Sequence, residues 1–198
     1  RSIKTDIIFP SYIEYESKKY IVNAIDMFFC HQSNIKSIDF SPDSEIEAFI
    51  YNVDLCDPSS IEKITIPSSV TFISCDWRKD LPKLTNILIK PKNTKYCCFD
   101  EKMIIGKSSI ECETYDCFVF CARDIKKVRL PNFIECILPY ALQDCKQLQD
   151  FEISDESNLQ EIGGFTFSNS SINCIKIPSK VRVINRYAFY CSSLQRIE

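Results

Sequence analysis

One spacing governs what this chain of 198 residues can fold into. The stretches "INCIKIPSKVRVINRYAFYCSSLQRI", "IKKVRLPNFIECILPYALQDCKQLQDFEI" and "IEKITIPSSVTFI" share one pattern: an apolar residue, further apolar residues at +3 and +5, a proline, then a second apolar pair three apart. The first apolar residue of each unit is Ile35, Ile61, Leu84, Ile125, Leu148, Ile172 and Leu194, at intervals of 26, 23, 41, 23, 24 and 22 residues. Five intervals share nearly one length, and the long one is that length plus an insertion. A fixed period in this range marks stacked copies of one supersecondary unit.

Within the unit, the +3 and +5 positions make apolar-polar-apolar triplets: Ile38-Asp39-Phe40, Ile64-Thr65-Ile66, Val128-Arg129-Leu130, Phe151-Glu152-Ile153 and Ile175-Lys176-Ile177. Period-two alternation predicts a short half-buried strand. Pro67, Pro131 and Pro178 lack an amide donor and fix φ, so each strand ends there. The second pairs, Val70 with Ile73, Ile134 with Ile137, Leu159 with Ile162 and Val181 with Ile184, turn back toward a core. One unit alone cannot bury its apolar side, whereas stacked copies with parallel strands can. The expected fold is an α/β solenoid over residues 1–198, with a parallel sheet of short strands on one face. Short helical or 3-10 segments on the other face would carry Leu142, Phe167 and Phe189 inward.

These residues, above all Ile177-Pro178-Ser179 through Val181 and Ile184, then Tyr187-Ala188-Phe189-Tyr190-Cys191, Leu194 and Ile197, resemble the BspA-like leucine-rich repeats. Weaker echoes run from about Ile8 onward. Trp77 departs from the pattern where an Ala-Phe element would fall, as does the region 90–124. The resemblance implies surface proteins of bacteria and protists, and a repeat module that binds other proteins. At the end of the sequence, Leu194 and Ile197 begin a further repeat and Glu198 takes an outward strand position, which reads as a cut through a longer solenoid without a polar capping repeat.

Composition removes other classes. A net charge of −3 and a pI near 5.4 disfavour a phosphate-backbone binder, so no nucleic-acid partner is expected. Three glycines, Gly106, Gly163 and Gly164, cannot build a phosphate-cradling loop. The single histidine, His31, sits in an inter-repeat turn, where an exposed polar residue is the default, so no catalytic residue is assigned. No run approaches the roughly 18 apolar residues of a membrane span, and no cofactor is implied.

The block "KYCCFDEKMIIGKSSIECETYDCFVFCARD" has apolar runs at 103–105 and 117–121. A β-hairpin set into one repeat at about 90–124 fits them, more simply as a tolerated surface elaboration than as a binding loop. Twelve cysteines are high for a reducing compartment, yet no C-x-x-C occurs and no zinc spacing is present, so no metal site is expected. Cys145 and Cys191 occupy one repeat position two repeats apart, about 10 Å, beyond disulfide reach. Cys30 and Cys56, in consecutive repeats, are the one pair placed at bridging distance, with free thiols still the preferred reading. Cys174 should face solvent and be the thiol most open to modification.

Outward strand positions carry alternating charge: Lys126, Lys127 and Arg129, then Gln149, Asp150 and Glu152, then Asn173, Cys174 and Lys176. In register, Lys127 lies beside Asp150 and Arg129 beside Glu152, with Glu152 also beside Lys176. The plainer reading, which is favoured, is that these pairs cancel one another. The sharper one is a pre-organised recognition surface of Lys126, Lys127, Arg129, Asp150, Glu152 and Lys176 for a protein partner or a host-surface or extracellular-matrix component. Aromatic residues are absent from these positions, which disfavours sugar stacking there. Asn169-Ser170-Ser171 is a glycosylation sequon, meaningful only after secretion. The functional expectation is a non-enzymatic protein-binding module of a cell-surface or adhesion protein, with an intracellular scaffold as the alternative.

Overall fold

The computed structural model describes residues 5–26, 34–50, 59–79, 81–190 and 192–198. His31, Cys30, Cys56 and Cys191 lie outside the described residues. The chain divides into two compact units, residues 1–97 and 98–198.

The first unit holds β1 (Asp6–Phe9), β2 (Tyr12–Tyr15), β3 (Lys18–Ile21), β4 (Ala24–Asp26), β5 (Ser37–Phe40), β6 (Ala48–Ile50), β7 (Lys63–Ile66), β8 (Phe72–Ile73) and β9 (Asn86–Ile89). The triplet strands stack in parallel as β1-β5-β7-β9, with Ile38 beside Ile64 and Ile64 beside Ile87. A second parallel ladder, β4-β6-β8, runs through the later apolar positions, and β2 and β3 form an antiparallel hairpin. Ile38, Ile64 and Phe49 are fully buried. Burying each such side chain contributes about 1.5–3 kcal/mol. Trp77, the departure from the repeat pattern, is also core: it is buried and meets Phe49 edge-on at 6.2 Å.

The second unit begins within β10 (Tyr96–Phe99) and continues through β11 (Met103–Gly106), β12 (Cys117–Cys121), β13 (Lys127–Arg129), β14 (Cys136–Ile137), β15 (Asp150–Glu152), β16 (Glu161–Ile162), β17 (Cys174–Ile175), β18 (Val183–Ile184) and β19 (Arg196–Ile197). Triplet strands pair as β13-β15 and β17-β19, and the later apolar positions form the parallel run β12-β14-β16-β18. The fold is a β-solenoid in which each coil supplies two short strands rather than one. The corner between them recurs: the carbonyls of Pro67, Pro131 and Pro178 accept from the amides of Val70, Ile134 and Val181 at 3.3, 3.1 and 3.0 Å. Proline's fixed φ sets that turn.

Two expectations need correction. The helical or 3-10 face is absent among the described residues apart from one short 3-10 helix, Cys75–Arg78, so the α/β label gives way to an almost wholly β fold. The reason lies in where the turn amides go. Ala141, Gln143 and Cys145 donate to residues three earlier, but Tyr140, Leu142 and Asp144 donate to the carbonyls of Gly164, Thr166 and Ser168 in the next coil. Phe167 and Asn169 in turn donate to Ala188 and Tyr190. A helix keeps its amide bonds within one segment, whereas here every second one leaves it. Positive φ at Tyr140, Asp144, Phe165, Asn169 and Tyr187 breaks the run further.

The second correction concerns the hairpin. The runs at 103–105 and 117–121 do pair antiparallel, with a register shift between Ile104 and Ile105. All residues of β11 and β12 are buried, and β12 also ladders with β14. This segment is a core layer rather than a surface elaboration.

Two residues the periodicity passes over hold the coils in place. Buried Asn93 donates through Nδ2 to the carbonyls of Pro67 and Val70, both at 2.9 Å, and its Oδ1 accepts from the amides of Lys95 and Tyr96. Asn93→Ala removes the side-chain donor to the Val70 carbonyl and the side-chain acceptor of the Lys95 and Tyr96 amides, and should cost about 1–3 kcal/mol, measured by urea unfolding. A Cβ on Gly163 would stand 2.5 Å from the Pro139 nitrogen and 2.7 Å from the Ile137 carbonyl, both backbone. Gly163→Ala should therefore destabilise by about 1–3 kcal/mol or more, and Gly164→Ala by less, in the same measurement.

Candidate functional site: the charged strand face

The outward face of β13 and β15 follows directly from strand alternation. Val128 and Phe151 point into the core, which turns Lys127, Arg129, Asp150 and Glu152 to solvent. The expected register is present: Lys127 is the Cα partner of Asp150, and Arg129 of Glu152. Lys126 is exposed just before β13, and its carbonyl accepts from the amides of Gln149 and Asp150, which fixes the start of β15.

Side chains choose different partners from the backbone. Lys127 Nζ donates to Glu152 Oε1 at 2.5 Å, a diagonal pairing rather than one with Asp150 directly opposite. A long side chain on a strand reaches such a diagonal neighbour. Lys176 does not reach Glu152 but pairs with Asp155 at 2.6 Å. Lys126, Arg129 and Asp150 make no salt bridge among the described residues. Of the six candidates, the structure thus joins Lys127 to Glu152, sends Lys176 elsewhere, and leaves two cations beside a closed ion pair.

Cys174 also departs from expectation. It is half-buried and lies opposite Arg196 in the β17-β19 ladder, where hydrogen bonding with Cys174 raises the Arg196 guanidinium above its ordinary value. Cys75 and Cys98 are the exposed thiols among the described residues. The Cys30–Cys56 pairing lies outside the described residues; within them, Cys117 faces Cys136, and Cys121 faces Cys145. Cys121 and Cys145 are one repeat length apart in sequence, at 24 residues, whereas Cys117 and Cys136 are 19 apart.

Sequence reasoning also passed over an aromatic ladder on the turn face. Tyr140, Phe165 and Tyr187 each directly precede the Ala-Leu, Thr-Phe or Ala-Phe dipeptide, all three with positive φ. Tyr140 stacks on Phe165 at 5.4 Å and 13°, Phe165 meets Tyr187 at 5.0 Å, and the Arg186 guanidinium lies 4.5 Å above the Tyr187 ring. Stacking turns the faces of Tyr140 and Phe165 toward each other, so this ladder serves coil-to-coil packing.

The comparisons agree with this architecture. Residues 113–198 match the family model of the BspA type leucine rich repeat region, in six copies. No curated protein matches the chain. The fold is similar to that of the pneumococcal vaccine antigen PcpA, with a TM-score of 0.70 at 15% identity over 97% of this chain and 50% of that one. It is also similar to a leucine-rich repeat protein from Eubacterium ventriosum, with a TM-score of 0.63 at 14% identity over 89% of this chain and 57% of that one. The chain spans about half the length of these structures. No helix among the described residues is long and apolar enough to cross a membrane.

The Lys127–Glu152 bond has a titration signature. Hydrogen bonding to Glu152 raises the Lys127 ammonium above its ordinary value, and the same bond lowers Glu152. A depressed carboxyl stabilises the fold above its unfolded value and loses that contribution as pH falls through its folded one. The raised ammonium contributes below its unfolded value and loses this as pH rises through the folded one. In an NMR titration, the Glu152 midpoint should lie below the ordinary glutamate value and return toward it in Lys127→Met. Exposure makes the effect small and salt-sensitive.

Proposed function

We propose that this chain is a non-enzymatic repeat module that binds another protein through the face formed by β13 and β15, as part of a cell-surface or adhesion protein. The carrying observation is the rigid charged array above the β13-β15 ladder, in which Lys126 and Arg129 make no salt bridge among the described residues and stand beside the closed Lys127–Glu152 pair. Side chains held by a packed sheet lose little freedom on binding. An acidic patch on a protein partner, on a host surface or in the extracellular matrix complements Lys126 and Arg129, while Asp150 and Glu152 fix its orientation. Likeness of the fold to a pneumococcal antigen supports the surface setting.

A second reading, an intracellular scaffold, is favoured by one observation: the facing thiols of Cys117 and Cys136, and of Cys121 and Cys145, are not joined in disulfides, as a reducing compartment keeps them. Immobilised chain tested against host-cell surfaces and extracellular-matrix proteins discriminates the two. Binding above a repeat-scrambled control is expected, and the double substitution Lys127→Glu with Arg129→Glu should weaken it about tenfold or more. Binding that survives the charge reversal leaves this face a structural role only, and no binding above the control removes the adhesion reading.

A further inference from the structure

The second unit gathers four cysteines into two facing pairs, and only one pair has access to solvent. Cys117 on β12 and Cys136 on β14 are Cα partners in a parallel ladder, with their sulfurs 2.8 Å apart. Neighbouring strands stand roughly 4.8 Å apart, inside the roughly 4.4–6.8 Å Cα window of a disulfide. Cys121 and Cys145 also approach, at 3.4 Å, but both are fully buried. Cys117 is buried as well, whereas Cys136 is only half-buried and opens the first pair to small solutes.

We propose that Cys117 and Cys136 form a site of reversible covalent modification, at which a small disulfide of the oxidised-glutathione class converts the two thiols to one disulfide tying β12 to β14. The more accessible Cys136 acts first: as thiolate it attacks one sulfur of the small disulfide, forms a mixed disulfide and releases one small thiolate, which takes up the Cys136 proton. The Cys117 sulfur then attacks the Cys136 sulfur and expels the second small thiolate, which takes up the Cys117 proton. One S–S bond breaks and one forms, and the two protein S–H bonds are replaced by two on the small thiols. The protein loses two electrons and the small disulfide gains two. The hydrogen bond to Cys136 and burial push the Cys117 thiol well up, so it keeps its proton until the mixed disulfide is in place. That order makes Cys117 the resolving partner and not the entry point. The product clamps the buried β11-β12 hairpin to the coil that follows it.

The test uses the whole folded, reduced chain. It is incubated with oxidised glutathione, quenched in acid, alkylated and mapped by mass spectrometry after non-reducing digestion. A peptide joining Cys117 to Cys136 is expected as the dominant product, and Cys117→Ser should convert it to a glutathione adduct on Cys136. Three results overturn the proposal: both thiols recovered alkylated, Cys136 carrying glutathione while wild-type Cys117 is alkylated, or a dominant cross-link from either thiol to another cysteine. Mapping the wild-type chain does not depend on whether the variant folds.

Discussion

Backbone hydrogen bonding from each coil to the next is the interaction on which everything else in this protein rests. Strands account for part of it, at the β5-β7-β9 and β12-β14-β16 ladders. Turns account for the rest, where Leu142 donates to Thr166 and Phe167 to Ala188. Because both kinds of bond join equivalent residues of successive copies, each coil places its neighbour's side chains as well as its own. The buried columns Ile38, Ile64 and Ile87, and separately Val128 and Phe151, are consequences of that alignment.

The same alignment places the charges of the candidate face. Exposed ion pairs add little to stability, so the rung-to-rung order of Lys127, Arg129, Asp150 and Glu152 matters for what the face presents rather than for what it holds together. The diagonal Lys127–Glu152 bond shows that backbone register fixes neighbourhood but leaves long side chains a choice of partner. That choice decides which charges remain for a partner, since a closed pair presents a weaker field than Arg129 beside it.

Register was legible because it depends only on repeat length: the marker spacing by itself places Lys127 opposite Asp150. The turn face was not, because apolar residues such as Ala141, Leu142 and Cys145 mimic the spacing of a helical stripe. Nothing local in the sequence says that Leu142's amide will be claimed by the next coil. Burial of the hairpin at Met103–Gly106 and Cys117–Cys121 was missed for a related reason, since an interruption of a repeat reads as an addition to it although here it completes the sheet. Asn93 and Gly163 are single residues without periodicity, and only tertiary packing shows their roles.

The turn-face bonding also bears on how such a chain changes over generations. A gene rearrangement that duplicates or deletes one whole coil leaves every rung with a partner, because Thr166 offers Leu142 the same kind of carbonyl that Ala188 offers Phe167. Loss of a single codon within a turn puts those carbonyls out of step and strands amides in the interior. Copy number can therefore drift, while the length of the turn segment within each copy is held.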